Sequence, residues 1–161
     1  MTEKEKRLWD KIAQFEINDP HSSFTFTDRL ARENDWTLEY SVRAIDEYKR
    51  FLFLICATNT PKTPSEEVDQ VWHLHLIYTQ SYWLELCRDT LNQDIHHGPT
   101  KGREERTIFI DYYAETLKEY EAFFGYPPPV DIWPPSEKRF KTVRFTRVNR
   151  DKYWLIKKPN Q

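Results

Sequence analysis

TPSEEVDQVWHLHLIYTQSYWLELCRDTL, residues 63–91, is either one long helix or two short ones, and the architecture turns on which. It opens with Thr63-Pro64-Ser65-Glu66, where the Thr hydroxyl can accept the backbone N–H three residues on and Glu66 can reach back. Pro64 takes the first helical position, at which no N–H is needed. Unbroken to Leu91, the helix would span about 27 residues and about 40 Å, more than a domain of this size is wide. A break near Tyr78-Thr79, with Thr79 as a second N-cap, gives two helices of similar length folded as a hairpin. The chain after Leu91 then returns alongside Glu66 to Asp69, and His96 and His97 approach Asp69 and His73.

On either side of this stretch the pattern is helical. Thr37 caps a helix running to about Thr58, with Leu38, Val42, Ile45, Tyr48, Leu52 and Ile55 recurring every three or four residues. Its second half, FLFLICA, is apolar all round, as expected of a central helix packed on several sides. Before it, residues 3–17 place Leu8, Trp9, Ile12 and Phe15 at helical spacing until Asn18-Asp19-Pro20. Thr27 or Asp28 can cap a short helix through Leu30 and Ala31 that stops near Asn34. His21, beside a proline in a polar loop, reads as a surface residue. After HHGPTKG, residues 103–124 form an amphipathic helix through Phe109, Tyr112, Tyr113, Leu117, Tyr120, Phe123 and Phe124, and Gly125 suits the position just past its end. The prolines of YPPPVDIWPP force an extended, wrapping segment, with Trp133 plugged into the body. Val143, Phe145 and Arg147, then Tyr153, Leu155 and Lys157, alternate around Asn149-Arg150-Asp151 as in a small β-hairpin.

The expected fold is therefore mainly α, a single-domain bundle of about five to six helices with a small C-terminal β-hairpin. Residues 1–135 form the helical body and 136–161 a basic segment. The chain's 161 residues suffice to bury a core without disulfide or metal staples, and 16% aromatic content supplies large buried areas. Cys56 and Cys87 sit inside apolar helical patterns, which points to buried reduced thiols. Residues 1–11 are too charged for a signal peptide, and the longest apolar run, Phe51 to Ala57, is far below the roughly 20 residues needed to cross a bilayer. A soluble, cytoplasmic protein with no membrane segment is expected.

The net charge of −2 conceals a split: residues 138–158 carry nine Lys or Arg against one Asp, so the remainder is acidic. The basic segment folds back on the acidic body, is merely solvated, or meets an anionic partner such as nucleic acid. Arg139, Arg144, Arg147 and Lys152 would make such an anion contact, interleaved with Phe140, Phe145, Tyr153 and Trp154. Gly98-Pro99-Thr100-Lys101-Gly102 precedes a helix but lacks the spacing of a phosphate-binding loop, so a plain loop is expected.

Four of the five histidines lie between Thr63 and Gly102. On a helix Asp69 and His73 are four residues apart and share a face, the spacing at which two side chains can hold one metal ion or form a carboxylate–imidazole pair. His75 lies about 200° from His73 around the axis and joins an intact site only if the helix is distorted. The candidate metal ligands are Asp69, His73, His75, His96 and His97, a donor set suited to Zn, Fe or Mn. Three protein ligands with an open position would suit hydrolysis or oxygen chemistry. The other readings are a buried polar network in which Asp69 fixes an imidazole tautomer, metal-free acid–base chemistry, and small-ligand recognition. The sequence holds no zincin motif, nucleophile elbow, paired-cysteine motif or dinucleotide glycine signature, and it specifies no reaction.

The run Val68-Asp69-Gln70-Val71-Trp72-His73-Leu74-His75, followed by Tyr82, Cys87 and His97 before Gly98-Pro99, resembles the glycine-rich domain-containing protein-like family, and its bacterial branch most. The resemblance runs from about Leu8 to Trp154 and includes ARENDW, YKRFLFL, HHGPTKG and DIWPP. It implies a mainly helical domain and puts weight on Asp69, His73, His75 and His97, with Trp72, Tyr82 and Cys87 supporting them. It also implies the helix break, since a proline often stands in relatives where Thr79 stands here. With three glycines and no membrane segment, this chain would be a stand-alone form of the domain. The alternative to a histidine site is a protein- or nucleic-acid-interaction module that uses the basic aromatic segment, with the histidines structural.

Overall fold

The structure, a computed structural model, describes residues 1–58, 60–98, 106–141, 148–149 and 151–156. Among these the chain is mainly helical: α1 (Glu3–Ala13), α2 (Phe26–Asn34), α3 (Leu38–Ala57), α4 (Glu66–Ile77), a π-helix π1 (Gln80–Leu91), α5 (Arg106–Phe124) and the single turn α6 (Ser136–Arg139). The central helix is α3, which packs against α1, α2, α4 and α5. In its second half Phe51, Leu52, Phe53 and Leu54 are buried in succession, so neighbours surround it there. Its first half departs from the periodic expectation. Leu38 and Val42 are exposed, and the buried face joins the expected Ile45 and Tyr48 to Ser41 and Ala44, small residues whose size hid them from an apolar-period reading. No described helix is long and apolar enough to cross a membrane.

The starts of α1 to α4 follow side-chain oxygens that accept orphan backbone N–H groups, and some of these starts differ from the expected ones. Thr37 caps α3 by accepting from the Tyr40 N–H at 3.1 Å, as anticipated. The cap of α2 is Thr25, in a reciprocal box with Asp28. Thr27 is instead bonded to the Asn18 side chain, its N–H donating at 3.0 Å. The cap of α4 is Ser65, which accepts from Val68 at 3.1 Å, two residues later than the Thr63 box. The residues before it are committed elsewhere: the Thr63 N–H donates to the Thr116 hydroxyl and Lys62 pairs with Glu119, joining this loop to α5.

The chain does break at Tyr78, whose ψ of 65° leaves the helical region. Thr79, however, is itself helical and makes no side-chain cap. Beyond it the backbone bonds one residue wider than an α-helix; the wide pattern persists at the end of π1, where the Asn92 N–H donates to the Cys87 carbonyl. Asn92 then reverses the chain in the left-handed region at φ 52°.

At the other end of the bundle, Gly125 at φ 79° terminates α5 and donates to the Glu121 carbonyl at 2.8 Å. Trp133 is buried and donates to Glu47 at 2.9 Å. The same carboxylate accepts from the Tyr120 hydroxyl and from Arg50, both at 3.2 Å, so one acid fastens α3 to α5 and to the proline-rich segment. Burial raises the Glu47 pKa above the ordinary carboxylate value, with Arg50 opposing it. The expected β-hairpin falls mostly outside the described residues, and 148–149 and 151–156 hold no strand. The anion-loop residues Pro99 to Gly102 also lie outside them.

Candidate metal centre

The outer face of α4 presents Asp69 and His73, one turn apart. The Tyr78 break lets π1 pack back against α4, and the chain leaving π1 returns past the same face. Its position is set by a buried relay: the Trp72 indole N–H donates to the Tyr82 hydroxyl at 2.9 Å, and that hydroxyl donates to the Ile95 carbonyl at 2.6 Å. Two residues on, His97 lies edge-on to the Trp72 ring at 4.3 Å between centroids. Its Nε2 is 2.7 Å from Asp69 Oδ1. His73 Nδ1 is 3.7 Å from Asp69 Oδ2, and the His73 and His97 rings are 4.6 Å apart, tilted by 36°.

Asp69, His73 and His97 thus form a group that could hold a metal ion, with one ligand atom from each lying within 4.8 Å of the others. The site sits at the protein edge. The side chains of Asp69 and His97 are only 21% and 17% exposed, whereas His73 is 51% exposed and forms the open side.

The other two candidate histidines, His75 and His96, are placed elsewhere. His96 is exposed and lies beside the Trp83 ring at 5.6 Å. His75 points into the core, as its angular offset from His73 anticipates. Tyr48 OH is 3.1 Å from its Nδ1 and Ser81 Oγ 3.2 Å from its Nε2. The rings of Phe15, Phe26, Tyr48 and Tyr82 surround it at 5.2–5.9 Å. Burial pushes its pKa down from 6.5 to about 3, so it is the neutral imidazole that joins α3, α4 and π1. Tyr48 and Ser81 carried no sequence signal for this role: the first reads as one more apolar helical position and the second as a polar surface residue.

Trp72 and Tyr82 support the site directly through the relay. Cys87 is buried on the inner face of π1, its thiol pKa raised by burial, and Cys56 is pushed up to about 12 by the same cause. Both are free thiols suited to packing rather than ligation. In the basic segment Arg139 pairs with Glu66 at 3.2 Å and donates to the Pro64 carbonyl, so this part folds back on the acidic body. Lys152 is exposed, and Arg144 and Arg147 lie outside the described residues. Comparison with family models, with curated proteins and with solved structures found no match.

Proposed function

We propose that Asp69, His73 and His97 form a mononuclear site for a divalent zinc, iron or manganese ion, open to solvent on the His73 side. One observation carries this reading: a carboxylate and two imidazoles, 28 residues apart at the extremes, converge with ligand atoms within 4.8 Å. Two imidazoles and one carboxylate suit these metals and leave coordination positions free. Metal–ligand bonds of about 2.0–2.1 Å put two ligand atoms about 3.3 Å apart, so Asp69 and His97 have to open from their 2.7 Å contact and His73 has to close on them. Its half-exposed ring has room to do so. A bound ion would supply Lewis-acid or oxygen chemistry at the open side. Trp72 orients His97, and the Tyr82 relay holds its backbone.

The same reading takes the chain as a member of the glycine-rich domain-containing protein-like family. In its support, the positions weighted by that resemblance adjoin one another: Trp72 bonds Tyr82, the Tyr82 ring meets His75 at 5.2 Å, and Trp72 meets His97. The second reading is a purely structural tie, favoured by the 2.7 Å contact that fastens His97 to Asp69.

Metal analysis of untagged protein, with titration by cobalt(II) alone followed in the visible spectrum, separates the two. The metal reading expects about one equivalent, lost in His73→Ala and His97→Ala variants that retain their helical circular dichroism. No uptake of zinc, iron, manganese or cobalt, with melting lowered in both variants, would leave the histidines as a structural tie.

A further inference from the structure

Tyr153, Trp154, Leu155 and Ile156 stand off the body at 63%, 96%, 64% and 89% exposure, in a segment without helix or strand. Four consecutive apolar side chains share a face in no regular backbone, so a one-sided protein groove would cover only part of them. A medium that surrounds the chain would cover all four. The charge pattern names its sign: residues 138–158 hold nine Lys or Arg against one Asp, while the rest of the chain is acidic. Lys138, Lys141 and Lys152 are exposed, whereas Arg139 is already paired with Glu66.

The side-chain types separate the anionic partners. Nucleic acid rewards aromatic rings that stack on bases, but Leu155 and Ile156 have no ring to offer. A lipid interface accepts aliphatic side chains below the headgroups, Tyr and Trp at the boundary and lysine at the phosphates. We infer that Tyr153 to Ile156, with the lysines around it, is a peripheral anchor for an anionic phospholipid surface, inserting Trp154, Leu155 and Ile156 while the acidic body faces away. The anchor is independent of the metal site and crosses no bilayer.

The test is sedimentation of the full chain with phosphatidylcholine vesicles, either alone or containing about 30% phosphatidylserine. Partition at least about tenfold stronger onto the anionic vesicles is expected, falling as salt is raised. A Trp154→Ala, Leu155→Ser, Ile156→Ser variant should lose that partition with its melting temperature unchanged, because these side chains are exposed. No partition onto anionic vesicles, or partition that survives in the variant, overturns the proposal. Tail-dependent binding of a single-stranded oligonucleotide without vesicle binding overturns it too, in favour of nucleic acid.

Discussion

Tyr82→Phe removes one oxygen and tests how the site is held. The hydroxyl accepts from the Trp72 indole and donates to the Ile95 carbonyl, and Tyr82, Trp72 and Ile95 are all buried. Phenylalanine fills nearly the same space, so no cavity term enters. What remains is an indole N–H and a carbonyl without their partner, each costing about 1–3 kcal/mol when water cannot replace it. Discounting for the hydroxyl that no longer has to be desolvated, the variant should lose about 2–4 kcal/mol. Against a domain stability of roughly 5–15 kcal/mol this is a large fraction, and it corresponds to a melting temperature lower by about 6–12 °C. Denaturant unfolding measures it, with the slope on denaturant unchanged. The same oxygen positions the backbone two residues before His97, so the metal reading adds a second effect: cobalt(II) affinity weaker by about tenfold or more. Tyr113→Phe is the control, because its equally buried hydroxyl donates to the Pro134 carbonyl at 2.7 Å rather than to the chain carrying His97. Stability within about 0.5 kcal/mol of the parent would refute the relay as the fastening of this loop. Equal losses of cobalt affinity in both variants would refute its link to the site.

Two further expectations concern the frame around the site. Burial holds the His75 pKa near 3 against 6.5 in the unfolded chain, so the unfolded state takes the proton first as pH falls. Its stability contribution is complete above about pH 6.5 and declines toward pH 3; at pH 5 the loss is about 2 kcal/mol, and unfolding at pH 7 and 5 should show that slope reduced by this amount in His75→Gln. Ser65→Ala leaves the Val68 N–H without its cap and should cost about 1 kcal/mol, whereas Thr63→Ala should not reproduce that loss of a cap; equal cap-like losses measured by thermal unfolding would restore Thr63 as the helix start.

Much of the site was legible because it rests on two simple rules. Length argued that residues 63–91 could not be one helix, and the break falls at Tyr78. Four-residue spacing put Asp69 and His73 on one face, and the hairpin that follows from the break brought His97, though not His96, to them. The miss over the cap of α4 has a local cause: Thr63 and Ser65 are both competent acceptors, and the choice was made by tertiary bonds that tie Lys62 and Thr63 to α5. The π-helix was illegible for a different reason. Periodicity arguments assume 3.6 residues per turn, whereas bonds to the fifth residue bring positions five apart into register. Tyr82 and Cys87, both wholly buried, are such a pair. Glu47 could not be foreseen as a buried acid, since its partners Tyr120 and Trp133 lie 73 and 86 residues away.

His73 and His75 show how one helix divides the labour of two identical residues. A separation of two positions turns them to opposite sides, and the environments then fix their chemistry. His75, neutral and surrounded by aromatic rings, bonds Tyr48 of α3 and Ser81 of π1 and so fastens the helix from within. One position before His73, Trp72 reaches the Tyr82 relay and fastens the returning chain. Buried hydrogen-bonded groups fix orientation more sharply than apolar contacts, because a displaced partner leaves a donor or acceptor unmet. Two such fastenings lie beneath Asp69, His73 and His97, so Asp69 and His97 meet on rigid supports while His73 keeps the exposure that closing on an ion would need. The polar groups in this core therefore fix the placement of the surface cluster as well as contributing to stability.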